Sequence, residues 1–409
     1  MPNRWQSFEQ FLNTALDTPL EQRQALVNSL LRERRNFPWV EGTKATFIYA
    51  RPGARSVAVN LDTIKSDPPF APMTNLPGTS LWYVSLEFAP DDLLDYLIAV
   101  NDPMTPLADE QNIVQRVTRY WQTDPYNPLR ISTAQMNVSV LRMDKARPFP
   151  DWSKLQRVQK GTVFEHNISS SQLRFQNRRL WVYTPPGYEG SGLAYPLLIL
   201  YDGQWAVGPM QVPSIADALI KHNQMRPAVI AMIQSGDQSN RLKTYLSNDR
   251  HYLFTLTELL PFLQTEYRID SANIGVGGVD ISAIAAAHTA LMNAAVFSHL
   301  LMISPPLGKG IAEDKLEEYL QRFESAPLLP RRIFQSVGRY EMRSRFYQPA
   351  LALKRIIEHR SDVAYRFAEI GSGHGLVGFR SVMPEALAWA YPGQVGASDT
   401  AGQAASTRG

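Results

Sequence analysis

The chain of 409 residues is 44% hydrophobic and 19% charged, a composition of ordinary globular proteins with room for two or three domains and a sizeable core. A formal net charge of +3, spread evenly, argues against nucleic acid or an anionic membrane as a partner, and the absence of cysteine excludes disulfides, thiolate metal sites and a cysteine nucleophile. The N-terminus has no apolar h-region and no apolar run approaches the ~20 residues of a membrane span, so a cytoplasmic protein is expected.

In chain order, Phe8 to Arg35 carries apolar residues at helical spacing and is divided near Thr18-Pro19, which predicts two short helices within residues 1–36. From Thr46 the period becomes two, in Thr46 to Ala50, Ser56 to Asn60, Leu81 to Phe88 and Leu94 to Val100, with Pro/Gly/Asn turn signals between them. That pattern predicts a small antiparallel all-β sandwich over 37–148, ending near Trp121 to Pro128 and the proline-rich Arg147 to Trp152. Trp82, Tyr83 and Trp121 offer flat apolar surface to an aromatic ligand, although in sandwich strands such residues are usually core.

The next domain, 149–395, opens with a hairpin, Gly161 to Ser169 and Arg179 to Thr184. Continuous apolar runs follow at Tyr195 to Tyr201, Ala228 to Ile233, Ile274 to Gly278, Leu300 to Ser304 and Arg332 to Val337. Runs of this kind are parallel strands buried on both faces. Helical patterns alternate with them at Ile215 to His222, Tyr252 to Glu266, Ile281 to Asn293, Lys315 to Glu324 and Tyr347 to His359, which predicts an α/β domain with a doubly wound, mostly parallel sheet. The small polar segment 396–409 reads as a disordered tail.

The stretch Asn273 to His288 has the shape of a nucleophile elbow, a sharp turn from a buried strand into a helix. In α/β-hydrolases the frame is G-x-Ser-x-G, because small residues must flank a nucleophile held on a strained turn. Here it is Gly278-Val279-Asp280-Ile281-Ser282, with small residues in both flanking places and a carboxylate where serine is expected. Ligands in open parallel sheets bind beyond the carboxyl ends of the strands, where Asp202-Gly203-Gln204-Trp205, Gln234 to Asp237 with Arg241, Asp280, Ser304-Pro305-Pro306 and Gly338 to Glu341 stand. His374 follows in the loop Gly371-Ser372-Gly373-His374-Gly375. Asp280, Glu341 and His374 thus fill the order nucleophile, acid, histidine.

Each also has a bland reading. His374 can be a surface residue of a glycine-rich loop, and Glu341 can pair with Arg343 or Arg345. Asp202 and Asp237 are frequent turn residues, and His222, His251, His288 and His299 lie in or beside helical patterns as structural residues. No histidine and carboxylate spacing suggests a metal, and no cofactor is expected.

With these residues in place, the chain resembles the enterochelin (ferric enterobactin) esterase family over most of its length. The carriers are Val40-Glu41-Gly42 with Thr46-Phe47, Met73 to Tyr83, Asp95-Tyr96 and Asp124 to Pro128 in the first domain. In the second they are Arg178 to Tyr188, Tyr195 to Gln204, Arg241 with Asn248, Glu258 to Pro261 and Gly338 with Glu341. The resemblance implies an immunoglobulin-like N-terminal domain, an α/β-hydrolase domain, and a cytoplasmic serine esterase that cleaves the trilactone of a ferric catecholate siderophore. The sequence departs from the family at the chemistry. The nucleophilic serine aligns with Asp280 and its following glycines with Ser282 and Ala283. The acid and leucine of the family's R-x-x-E-L align with Thr244 and Tyr245, and the Asp and Trp after the histidine with Gly375 and, roughly, Gly378.

Attack on an ester by a carboxylate gives a high-energy anhydride, so serine-type acyl transfer is disfavoured. Three readings stay open: Asp280 and His374 activate water on a carbonyl; Asp280 attacks a saturated carbon, as in haloalkane dehalogenases and epoxide hydrolases; or the fold is retained for binding or regulation. In the working arrangement Asp280 is nucleophile or base, His374 the base for water and Glu341 its orienting acid. The N–H groups of Ile281 and of Gly203 or Gln204 hold the oxyanion, and Arg241 and Trp205 face the small-molecule substrate.

Overall fold

The computed structural model describes residues 4–133, 136–246, 248–311 and 316–394, so the predicted tail 396–409 lies outside the described residues. The chain divides into two compact units, Met1–Pro148 with Gly371–Gly378, and Phe149–Ile370 with Phe379–Gly409.

In the first unit, helices Phe8–Leu16 and Leu20–Glu33 form on either side of Pro19. The Ser7 side chain caps the first by accepting from the Gln10 N–H at 3.0 Å. Their apolar faces, Phe8, Phe11, Val27 and Leu30, share a core with Phe37, Trp39, Ile48 and Leu81. The strands are β1 Trp39–Glu41, β2 Lys44–Tyr49, β3 Val57–Asn60, β4 Phe70–Pro72, β5 Thr74–Asn75, β6 Trp82–Glu87, β7 Leu93–Val100, β8 Trp121–Gln122, β9 Arg130–Ser132 and β10 Asn137–Arg142. They build two antiparallel sheets, β1-β2-β6-β5 and β4-β3-β7-β10-β9, with β8 on β7. The sheets face each other through Phe47 of β2 and Tyr96 of β7, whose rings are 4.9 Å apart. Tyr83 packs on Phe8 at 5.3 Å, and Trp121 packs on Phe70 while its Nε1 donates to Asp102 at 2.9 Å. Both rings are therefore engaged within this unit.

The segment Asp124 to Asn127 is a buried latch across the second sheet. The Tyr96 hydroxyl donates to Asp124 Oδ2 at 2.6 Å, and Asn127 Nδ2 donates to that hydroxyl at 3.0 Å and to the Val140 carbonyl at 2.9 Å. The Asp124 N–H donates to Ser139 Oγ at 2.9 Å, and Tyr126 N–H to Asp124 Oδ1 at 2.7 Å. Burial pushes the Asp124 carboxyl up to about 6, against the lowering effect of these hydrogen bonds.

The second unit is built on one sheet of eight strands: β11 Thr162–Ser170, β12 Phe175–Thr184, β13 Tyr195–Tyr201, β14 Val229–Ile233, β15 Ile269–Val279, β16 Phe297–Ile303, β17 Arg332–Gly338 and β18 Ala364–Ile370. Their order is β11-β12-β14-β13-β15-β16-β17-β18. β11 and β12 are antiparallel to each other and β12 to β14; every other pair is parallel. On one face Leu197, Ile199, Val276, Leu300 and Met302 share a core with the helix Ile281–Met292; Leu200, Leu301 and Ile303 turn to the other face, near Met210 and Met383. The mixed α/β character read from the apolar runs is thus observed. β18 was not predicted. As an edge strand it is only partly buried, and AYRFAEI lacks the continuous apolar run of its neighbours. Helices Gly203–Val207, Gln238–Tyr245 and Leu376–Ala390 were also not predicted. The pattern Tyr252 to Glu266 resolves into Asp249–Phe254, a π turn Thr255–Leu259 and Leu260–Glu266. No helix among the described residues is long and apolar enough to cross a membrane.

Asp124 supplies a pH test of the latch. Its carboxyl holds a proton more tightly folded, at about 6, than at the ordinary 3.8, so its contribution is full below pH 4 and is lost as pH rises to 6. In urea titrations at pH 4 and pH 6, the wild type should lose on the order of 1–3 kcal/mol relative to Asp124→Asn, whatever the variant's overall stability. Parallel pH profiles for the two proteins would show that Asp124 does not titrate in this range.

Candidate active site

β13 and β15 are adjacent and parallel, with Leu200 opposite Gly277, so the turns that follow them stand side by side. β15 ends at Val279, and Asp280 follows with φ 56 and ψ −129 before the helix Ile281–Met292 begins. That is a conformation L-residues rarely adopt, costing on the order of 1–3 kcal/mol, and strain of this kind persists only where surrounding structure imposes it. The constraints are visible. The Asp280 N–H donates to the Ile303 carbonyl at 2.9 Å, and Ser282 Oγ accepts from the Val279 N–H at 2.9 Å and donates to the Val279 carbonyl at 2.8 Å. A Cβ on Gly278 would lie 2.3 Å from the Ser282 backbone, which is why only glycine fits there. The small residues that frame Asp280 in the sequence therefore have a steric cause.

The other turn repeats the geometry. Asp202 follows β13 with φ 59 and ψ 47, and the helix Gly203–Val207 starts at once, its first residue so close to Met232 that a Cβ would sit 2.3 Å from that backbone. The first N–H groups of a helix have no partner within it, so those of Ile281 and of Gly203 and Gln204 are donors at two neighbouring strand ends. Gln204 is fixed by its side chain, whose Nε2 donates to Ser235 Oγ at 2.6 Å while its Oε1 accepts from the Ser235 N–H at 3.1 Å. Trp205 is 40% exposed.

Arg241, on the helix Gln238–Tyr245, joins the two turns. Its Nε lies 3.0 and 2.9 Å from the two Asp202 carboxylate oxygens and its Nη2 2.6 Å from Oδ2, while Nη1 lies 3.6 Å from Asp280 Oδ2. The first contact is a set of charge-assisted hydrogen bonds; the second is an ion pair without one. Burial pulls the Arg241 proton affinity down, and the hydrogen bonds and charge of Asp202 with the charge of Asp280 more than offset it, so the net shift is upward. Asp202 also has its N–H against the buried Tyr245 hydroxyl at 3.3 Å, a partner that sequence reading missed because Tyr245 aligns with an apolar position of the family pattern.

Glu341 follows β17 and is 2% exposed. It accepts from Ser304 Oγ at 2.7 Å, and Ser304, after β16, is itself buried at φ 49. The bland pairing with Arg345 is not the observed one, since that guanidinium donates to the Lys309 and Gly310 carbonyls. His374 is exposed, and its loop belongs to the first unit. Leu93 N–H donates to the Gly371 carbonyl at 2.7 Å, the Asp62 carboxylate accepts from the His374 backbone N–H, and a Cβ on Gly373 would lie 1.7 Å from Asp62 Oδ2. Asp95 is near Gly375; burial, with the charge of Asp62 adding, pushes its carboxyl up to about 6. Neither acid was considered a site residue from sequence, for Asp62, in the turn after β3, and Asp95, on β7, lie far away along the chain. His251 is buried against Tyr201 at 4.5 Å, and burial drives its proton affinity down to about 3; His288 holds Tyr319 and Asp249.

The family model described as "Putative esterase" matches residues 171–389, more than half of the chain, and the chain belongs to that family. An iron(III) enterobactin esterase of Escherichia coli O6:H1 is 29% identical over 139 residues, 34% of this chain and 34% of the relative. The same enzyme from a second Escherichia coli strain is 28% identical over 127 residues, 31% of each chain. These matches span about a third of the length of the curated relatives. The crystal structure of an enterobactin esterase from Shigella flexneri in the presence of enterobactin gives a TM-score of 0.69 at 20% identity, over 84% of this chain and 92% of that one. A ferric enterobactin esterase from Salmonella typhimurium gives 0.72 at 18% identity, over 89% and 98%. At such identities the likeness is one of fold.

Two substitutions separate the clamp from the strain. Arg241→Met leaves Asp202, whose side chain is 6% exposed, buried without its counterion, and should cost about 3–5 kcal/mol in a denaturation series. Asp280→Gly removes the 3.6 Å ion pair and releases the backbone strain, so it should leave stability unchanged or raise it by about 1 kcal/mol. A large loss in the glycine variant would mean that the Asp280 side chain holds the elbow together.

Proposed function

We propose that this chain is an ester hydrolase in which Asp280 and His374 activate water, with the trilactone of a ferric catecholate siderophore as the substrate class. The observation that carries the reading is the strained elbow at Asp280 with helix N–H donors on two adjacent strand ends. Family membership and the names of the relatives, all enterobactin esterases, support the reaction class and the substrate. In the same reading the first unit is of the immunoglobulin-like type, the second an α/β-hydrolase domain with a doubly wound sheet, and the protein works in the cytoplasm.

Water adds to the ester carbonyl and gives up its proton to the base. The carbonyl oxygen gains the negative charge and is held by the N–H groups of Ile281 and of Gly203 or Gln204. The tetrahedral species then expels the alkoxide, which takes a proton, leaving one acid and one alcohol. His374 serves as base for water, with Glu341 as its orienting acid, as their chain order suggests; Arg241 stands 3.6 Å from Asp280 as its cationic partner. Trp205 offers exposed aromatic surface to a catechol ring.

The test is turnover of a catechol trilactone and simple aryl esters, alongside haloalkanes and epoxides, with intact mass measured for wild type and His374→Ala. Ester products should form without a covalent adduct, and Asp280→Ala should lower the rate by at least ~100-fold. An adduct on Asp280 that accumulates in the His374 variant would establish a carboxylate nucleophile and exclude direct water attack. Folded protein with neither product nor adduct would leave a hydrolase fold kept for binding. Asp280→Ser, which restores the usual elbow nucleophile, should give a burst of acyl-enzyme in the same assay.

A further inference from the structure

At the amino-terminal edge of the eight-stranded sheet lies a cavity of about 400 Å³ whose polar lining is Arg226, Asn273, His299, Arg331 and Arg332. His299 is near the start of β16 and Arg332 opens β17, whereas Asp280 follows the carboxyl end of β15. Five to six residues of strand at ~3.3 Å each separate the cavity from the elbow, on the order of 15–20 Å.

Three guanidinium groups converge here, and among the described residues no carboxylate pairs with any of them. Each is held in place by something other than charge. Arg331 Nη2 donates to the Ala272 carbonyl at 2.7 Å, and Arg332 Nε donates to the Trp389 carbonyl at 3.0 Å with its guanidinium 4.5 Å from the Trp389 ring centroid. Arg226 lies over Tyr391 at 5.6 Å. That leaves Arg226 Nε and Arg332 Nη2 buried without a hydrogen-bond partner. Donors of this kind, on like charges gathered at one wall, cost stability unless something accepts from them. His299 adds no charge, because burial, with Arg332, Arg331 and Arg226 beside it, holds its proton affinity down to about 4.

We propose that this cavity binds a doubly charged tetrahedral oxyanion of the phosphate class, as inorganic phosphate or as a small phosphomonoester. One carboxylate could accept from one guanidinium fork and would leave two charges unanswered; a phosphate presents oxygens in several directions and up to two charges. The volume exceeds that of the bare anion and leaves room for an organic substituent. The site is independent of the hydrolase reading, since it shares no residue with the elbow.

Calorimetric titration of the full chain with inorganic phosphate and with phenyl phosphate, at constant ionic strength in chloride, tests it. Saturable binding at one site per chain is expected, weakened at least tenfold in Arg226→Gln/Arg331→Gln and severalfold in Arg331→Gln alone, a change at an exposed residue that leaves folding intact. Tighter binding of phenyl phosphate would support the phosphomonoester as ligand, and equal or tighter binding of the inorganic anion would support free phosphate. No saturable heat for either, or binding unchanged in Arg331→Gln, would overturn the proposal.

Discussion

Arg241 sits between two carboxylates that the fold itself forces together. β13 and β15 are neighbours in the sheet, each ends in an aspartate at positive φ, and each aspartate is followed at once by a helix. Asp202 and Asp280 stand at two neighbouring strand ends with Arg241 between them, and the cation offsets the repulsion of two like charges so placed. The guanidinium is shared unequally. It spends its hydrogen bonds on Asp202, the more buried acid, and offers Asp280 a longer ion pair at 3.6 Å. A serine at the elbow would leave Arg241 with one acid to neutralise. With aspartate there, the same cation, held by Asp202, faces both acids.

The elbow shows the same economy in its backbone. Gly278 allows the helix to come back against the strand, Ser282 ties that helix to Val279 through both of its hydrogen-bonding roles, and Ile303 of the next strand accepts the Asp280 N–H. Every one of these contacts is made by residues other than the Asp280 side chain. The strained φ is thus imposed by the surrounding backbone and by Ser282.

What could be read from the sequence follows from this division of labour. Strands buried on both faces, such as Tyr195–Tyr201, write their burial as continuous apolar runs, and the small residues around Asp280 write the steric needs of the turn. β18 is an edge strand in which Arg366 and Glu369 interrupt both a continuous apolar run and a strict alternation, and Gln238–Tyr245 is a short helix whose value lies in one arginine, so neither leaves a hydrophobic period to find. Partnerships were less legible still. Arg241 with Asp202, Glu341 with Ser304 and the His374 loop with Asp62 join segments that no local spacing relates. The motif Asp124 to Asn127, which marked a resemblance in the sequence, turns out to close a buried latch on Tyr96, a role in folding rather than in catalysis.

The proposed reaction can be weighed on the chemistry of a carboxylate at the elbow. A carboxylate is a far weaker nucleophile than the histidine-activated alkoxide of a serine. Attack on an ester carbonyl would then ask a poor nucleophile to form an anhydride, an intermediate nearly as reactive as the acylating agents it would be made from. In the proposed reading, orienting a water molecule asks less of Asp280, which accepts one hydrogen bond while the imidazole of His374 takes the proton as it leaves. Water activation is therefore the proposed route, with Arg241 3.6 Å from Asp280 as the cation beside it.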